Sequence, residues 1–548
     1  MYRRVVIITA LIVSAMAASA RQMPIPASAG ADVPLGHRGY AFLARAEVLG
    51  VVEGLRDDAL PMTRQQIAGW LVIADRDSAG RLSPTDRSEL SRLLAEFKPE
   101  AEIAGGRTDA KVRRIVDRSD STWRIAVEPV VVLTATSDQR TVKGQAGYTA
   151  DGGLAIFGRI NSNIAFGVVA ANRSVQGRTV DFGNLRGPEP SRGGWRVVGD
   201  SDRVVYETVE AQAAFRTSWL LGAVGIGRHS WGPSQFANLF LSEKAPPYPY
   251  LRLQTALDSW LTVTFIHAQL NSDMVDSAVY QHRADTNPDG DVDRRRWMSA
   301  HRFSATIAKG VDLAFQESVI YGDRSPDWFY LVPVAFFWTG QHQGDNTDNY
   351  QMGFDIDIYR WPGWRVYGAW YLEEWTPEAV FGDDEHNWFA FQAGVSVFDM
   401  LGAMSNLDFT AEYTRLNPTV YAHRQPINDR LSTGAPLGHW LGRNGDQWLW
   451  YLRYQPRSPI VITTTLRRIR KGGEPDASDF YLRPDYPFLS EDDGPIVKVW
   501  DCDIRGTYEV WPNALLFAGG WWRRQSDGLG VTTTRTAVYG GIRAGIWR

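Results

Sequence analysis

Residues 406–414 read NLDFTAEYT, and their order decides the fold. Leu407, Phe409, Ala411 and Tyr413 alternate with Asp408, Thr410, Glu412 and Thr414. Successive side chains of a β-strand point to opposite faces, so this segment makes a strand with one apolar and one polar side. The same alternation returns in VVYETVEAQAAF (204–215), where Thr208, Glu210 and Gln212 oppose Val209, Ala211 and Ala213. It returns again in FDIDIY (354–359) and KVWDCDIRGTY (498–508), which place Asp355, Asp357, Asp501, Asp503 and Arg505 on polar faces. The core strand of a soluble protein would not keep sending acids to its hidden side. A barrel with apolar walls and a wet lumen does.

The connections between these segments alternate in length. Short ones lie at 160–163, 216–218, 257–259, 308–310, 361–364 and 455–459, and long ones at 175–203, 227–249, 271–296, 322–349, 415–447 and 470–496. Short periplasmic turns and long external loops mark outer-membrane barrels. Counting on that rule predicts an all-β transmembrane fold over residues 120–548, an outer-membrane β-barrel of about 18 antiparallel strands with long extracellular loops. The closing TAVYGGIRAGIW (536–547) is apolar at every second residue, and Arg548 follows the terminal aromatic.

Composition agrees. The chain carries 22 Trp, 21 Tyr and 23 Phe with no long apolar run beyond its N-terminus. Trp and Tyr concentrate at membrane interfaces, where one end of the ring is dry and the other wet. No fixed-period repeat supports a propeller. Arg3 and Arg4, the apolar stretch Val5–Ala17 and the small residues Ala18-Ser19-Ala20 predict a signal peptide over residues 1–20. Its removal takes the net charge from -4 to -6, which excludes the basic surplus of a nucleic-acid binder. Cys502 is the single cysteine, so no internal disulfide can form, and strand parity sets it beside Trp500 and Ile504 on the lipid side as an apolar filler. The basic residues are 51 Arg and 7 Lys. Genome bias explains that ratio, and carboxylate recognition by guanidinium forks is the functional alternative.

Residues 33–115 predict a small helical periplasmic unit. GYAFLARAEVLGVVEG (39–54) sets Phe42, Leu43, Ala46 and Leu49 at helical spacing. Thr63 with Gln66 forms a capping box, and Ser83-Pro84 with Asp86 opens a third helix.

Enzyme signatures are missing: there is no HExxH, GxxxxGK[ST], GxSxG or GxGxxG. His229-Ser230 is the one candidate nucleophile–base pair. Neighbours on a strand face opposite ways, so adjacency alone does not join them. DTNPDGDVD (285–293) places Asp285, Asn287, Asp289, Asp291 and Asp293 at calcium-loop positions, but Arg296 stands where the bidentate acid belongs. An ordinary polar loop and a weak Ca2+ site both fit 285–296. The long loops mix rings with carboxylates and amides, as in YLEEWTPEAVFGDDEHNW (371–388), DRSPDWFYLVPVAFFW (323–338) and GHWLGRNGDQW (438–448). Rings stack on the apolar faces of sugars while Asp, Glu, Asn and Arg take the hydroxyls, so these loops are candidate glycan sites.

Four segments, in order, carry a resemblance. PMTRQQIAGWL (61–71), GRHSWGPSQFANLFLSEKAPP (227–247), ESVIYGDRSPDWFYLVP (317–333) and GHWLGRNGDQWLWYLRYQP (438–456) are similar to stretches of the Wzi-type capsule assembly proteins, over roughly residues 36–548. That resemblance implies an 18-stranded outer-membrane barrel with a periplasmic helical part. It implies a lectin that holds capsular or exopolysaccharide at the cell surface, with no catalysis and no required cofactor. The expected contact residues are Trp231, Gln235, Tyr330, Glu373, Trp375, Asp384, Trp440, Arg443 and Asp446. Outer-membrane lipid is an expected partner, polysaccharide export machinery a further candidate and nucleic acid none. A diffusion porin is the rival, an outer-membrane acyl hydrolase at His229 or Ser230 a third reading. Loops 322–349 and 415–447 are long and aromatic enough to plug the lumen, which a porin must leave open.

Overall fold

The computed structural model describes residues 26–545, apart from 79, 108–113, 121, 139–146, 177–194, 198–202, 273, 275–293, 344–346, 375–387, 401, 403–404, 475–486 and 492–493. The candidate signal peptide lies outside the described residues, as does the calcium-like run Asp285–Asp293. Eighteen antiparallel strands close into a barrel. In chain order they are β1 (Arg124–Asp138), β2 (Gly147–Arg159), β3 (Ile164–Gln176), β4 (Arg203–Arg216), β5 (Leu221–Gly227), β6 (Tyr248–Asp258), β7 (Leu261–Leu270), β8 (Arg296–Ala308) and β9 (Val311–Gly322). Then follow β10 (Asn349–Ile358), β11 (Trp364–Glu374), β12 (Trp388–Val397), β13 (Leu407–Leu416), β14 (Gly445–Arg457), β15 (Ile460–Lys471), β16 (Val497–Trp511), β17 (Ala514–Ser526) and β18 (Thr532–Ala544). Each strand pairs with its sequence neighbour, and β18 closes the ring on β1 through Ala537–Ala544 against Val131–Asp138. The connections separate into a short-turn end, which also holds the start of β1 and the end of β18, and a long-loop end.

The alternation in 406–414 is realised inside out. Asp408, Thr410, Glu412 and Thr414 are buried, while Phe409, Ala411 and Tyr413 on the other face are half-exposed. In β10, likewise, Asp355 and Asp357 are buried and Phe354 and Ile356 exposed. Outward apolar and inward polar side chains suit walls that meet hydrocarbon. Cys502 is half-buried between the exposed Trp500 and Ile504. Two glycines are obligatory. Gly310 turns β8 into β9 at φ +69, where a Cβ would strike the backbone of Arg360 at 2.7 Å. Gly394 makes room for the ring of its cross-strand partner Tyr367, which would lie 2.2 Å from a Cβ and whose hydroxyl donates to Glu412 at 2.6 Å.

Helices α1 (Arg38–Val48), α2 (Arg64–Asp77), α3 (Pro84–Glu96) and α4 (Lys98–Ile103) precede the barrel. Both α2 and α3 open on complete capping boxes, Thr63 with Gln66 and Ser83 with Asp86. Leu43, Ala46, Ile67, Leu71, Leu90, Leu93 and Phe97 form their core. The unit sits in the short-turn end of the lumen, tied there by charge. Arg45 bonds Asp408 of β13, Arg302 of β8 bonds Asp58, and Arg124 of β1 bonds Glu100 at 3.0 Å. Burial alone would raise the Glu96 carboxyl. His37, Arg38 and Arg64 beside it outweigh burial and hold it well below the usual carboxylate range.

Candidate functional site

The lumen is filled from its long-loop end. After β5 the chain does not stay outside, as an external loop would. Ser230 and Trp231 pair antiparallel with Leu60 and Ala59 of the helical unit, and the Gly232 amide donates to Asp58 O at 2.9 Å. Loop 228–247 then crosses the lumen against β11–β13. Arg365 donates to Pro233 O at 2.8 Å, Ser234 Oγ to Glu412 at 2.6 Å, and Gln392 to Ala237 O at 2.9 Å. Loop 417–444 packs on it. The fully buried Arg430 donates to Ser318 Oγ and Gln351 Oε1, both at 2.7 Å, and to Phe240 O. Its guanidinium lies over the rings of Phe240 and Tyr371.

The expectations for individual residues are corrected in several places. Trp231 is buried and stacks on Phe240 at 6.2 Å, so it anchors the plug and offers no face to a ligand. Glu373 is buried too. It accepts from Asn349 Nδ2 at 3.0 Å and from the Tyr421 amide, and so holds loop 417–444. Tyr330 is buried with its hydroxyl on Asp348 at 2.9 Å. The expected plug at 322–349 also fails: the described part of that loop lies against the outer wall, as shown below. Asp446 is buried, accepts from Arg470 Nε at 2.9 Å and Tyr413 at 3.1 Å, and by strand parity shares the outward face with Trp448 and Trp450. Trp375 and Asp384 lie outside the described residues.

Three of the named residues keep exposed surface. Gln235 is exposed on loop 228–247, and Trp440 and Arg443 are half-buried at the long-loop mouth. Trp440 stacks on His439 at 5.8 Å, Arg467 of β15 lies over its ring at 5.9 Å, and Arg443 Nε is 3.5 Å from Glu474. Arg467 and its partner Asp501, at 2.7 Å, face the lumen beside Trp521 and Arg523. Sequence reasoning missed Arg467. Its face is not readable in β15, where Arg467 and Arg468 are adjacent and point opposite ways, and its position under Trp440 depends on a loop 27 residues upstream. On the other side of the lumen, a cleft lies between residues 31–35 and the walls of β2–β5. Phe157, Glu210, Gln212, Arg228 and Tyr250 line it.

His229 and Ser230 take different partners. His229 Nδ1 bonds Tyr248 Oη at 3.2 Å, and Ser230 Oγ accepts from Asn238 at 3.0 Å. Arg296, at the twelfth calcium-loop position, is buried and donates to Asn271 O at 2.6 Å and Ile427 O at 3.2 Å. Among the described residues, no three His, Cys, Asp or Glu side chains are placed to hold a metal ion.

Three loop histidines make the plug sensitive to acid. Burial lowers His423 to about 4 and, with Lys244 nearby, His439 to about 3. Burial and Arg252 put His229 well below its ordinary value. An unfolded histidine titrates near 6.5, so below that pH the unfolded loop binds more protons than the folded one. Stability is therefore lost as pH falls from about 6.5 towards the folded values, by about 2 kcal/mol at pH 5 for each of His423 and His439, and His229 acts in the same direction. Hydrogen exchange in 228–247 and 417–444 is expected to rise between pH 7 and pH 5 while β16–β18 stay protected.

The fold is similar to that of Wzi from Escherichia coli, described as an outer-membrane protein involved in group 1 capsule assembly and a carbohydrate-binding β-barrel. The TM-score is 0.56 at 13% identity, over 94% of this chain and 99% of that one. Weaker likenesses are to OccAB2 of Acinetobacter baumannii (TM-score 0.43, 11% identity, 76% of this chain and 97% of that one) and OprD of Pseudomonas aeruginosa (0.41, 10%, 76% and 94%). No curated protein sequence matches the chain significantly. The model of the family described as capsule assembly protein Wzi matches residues 142–486. The chain belongs to the capsule assembly protein Wzi family, and is a protein of the outer membrane.

Proposed function

We propose that this protein is a non-catalytic lectin that binds capsular or exopolysaccharide at its long-loop face and attaches it to the cell surface. The short turns and the helical unit then face the periplasm, where export machinery is a candidate partner, and the long loops face outward. The observation that carries the reading is the mouth itself. Loops 228–247 and 417–444 are hydrogen-bonded across the lumen, and the half-exposed Trp440 lies on them with Arg467 over its ring and Arg443 nearby. A half-exposed ring among guanidinium groups suits a sugar face with hydroxyls or carboxylates around it. Detergent-solubilised protein is expected to bind the polysaccharide of its source strain. Trp440→Ala and Arg467→Ala are each expected to weaken binding roughly ten-fold, about 1.4 kcal/mol. Wild-type protein that opens large stable pores in planar bilayers and binds no polysaccharide would instead be a porin.

A further inference from the structure

Loop 323–348 leaves the top of β9, and its described part turns down the outside of the barrel. Gln316 and Ser318 bond the lumenal Arg302 and Gln351, so Glu317 between them points outward. There Glu317 receives the Phe337 amide at 2.9 Å, the Tyr350 hydroxyl at 2.7 Å and His301 Nε2 at 2.8 Å. Tyr330 leans on the outward Tyr321 at 5.1 Å and on Phe337 at 5.7 Å. Loop and wall together bury Phe265, Val319, Tyr350, Met352 and Leu372.

The depth of this contact matters. Glu317 lies five residues below Gly322 at the long-loop rim, roughly 13 Å along the membrane normal for a tilted strand rising about 3.3 Å per residue. An outer-membrane barrel wears an apolar band about 25 Å tall, so this part of the loop lies within it. An ionisable pair at that depth is costly unless covered, and the loop covers it. The loop's other face is apolar and bare: Trp328 is 84% exposed, Val334 70%, and Val332, Phe336 and Trp338 are exposed too. Residues 328–338 hold no charged side chain. This face continues the exposed wall formed by Phe354 and Trp370 on the neighbouring strands.

We infer that residues 328–338 form a lipid-embedded flap, sealing the Glu317–His301 pair on one side and meeting the acyl chains of the long-loop-side leaflet on the other. The inference is independent of what the long-loop face binds. It is tested by nitroxide labelling of Val334→Cys in a Cys502→Ser background, with the protein in phosphatidylcholine–phosphatidylglycerol vesicles. Ile504→Cys serves as the lipid-wall reference and Arg424→Cys as the exposed-loop reference. The label at 334 is expected to lose collisions with a water-soluble nickel chelate and keep those with oxygen, as at 504. Nickel collisions as frequent as at 424 would overturn the flap. Dipolar broadening that disappears on dilution with unlabelled protein would also overturn it, by showing a second copy as the cover. Phe336→Cys gives the same readout if Val334→Cys fails to fold.

Discussion

Arg302→Ala is expected to release the helical unit from a barrel that stays closed. The guanidinium is fully buried and holds Asp355 at 2.7 and 2.8 Å, Gln316 at 2.6 Å, and Asp58 of the helical unit. Alanine would leave the buried Asp355 and the half-buried Asp58 facing each other without the guanidinium that joins them. Breaking a buried pair in this way costs about 3–5 kcal/mol, because the partner's charge is left uncompensated. Limited proteolysis should then cut within residues 26–106, while the barrel keeps its heat-modifiable migration on electrophoresis. Arg302→Lys keeps the charge but loses the fork that serves two carboxylates, so it should fall between wild type and alanine. Protease resistance in Arg302→Ala equal to wild type would show that the unit is held by other contacts.

Arg430→Ala is expected to loosen the plug and raise conductance. Arg430 joins three parts of the molecule: its own loop, the wall through Ser318 and Gln351, and loop 228–247 through Phe240 O. Removing it takes a donor from the buried Phe240 O and leaves Gln351 Oε1 with Ser318 Oγ alone, at about 1–3 kcal/mol for a buried group left unsatisfied. Planar-bilayer recordings should show small or no steps for wild type, and larger, noisy openings for the variant. Unchanged recordings would place the closure of the lumen elsewhere.

Much of the architecture was written in local pattern. Strand parity alone placed Asp408, Glu412 and Asp501 inside and Trp500 and Cys502 outside, because a strand's period of two needs no knowledge of its neighbours. The capping residues Thr63 and Ser83 were equally legible, since a cap involves only the next three positions. Loop destinations were not legible. Loop 228–247 enters the lumen because Ser234 finds Glu412 and Pro233 finds Arg365, partners more than 130 residues away in sequence. Loop 323–348 had the composition of a plug yet lies outside. The signal was a break in alternation: Gln316-Glu317-Ser318 puts three polar residues in a row, so one must face outward and needs a cover. The candidate glycan residues fared by the same rule. Trp231, Tyr330 and Glu373 had the right chemistry, but burial is set by what packs on them, which no single loop encodes.

The two-residue ladder between Ala59–Leu60 and Ser230–Trp231 has a mechanical meaning. Trp231 N bonds Leu241 O, and Ser242 N bonds Leu437 O, so an unbroken run of backbone bonds leads from loop 417–444 through loop 228–247 to the helical unit. A pull on the outer mouth is therefore shared. Tension on a polymer held there would load the barrel wall through Arg430 and, in parallel, the helices at the opposite end, so that the whole height of the molecule resists extraction of the loop.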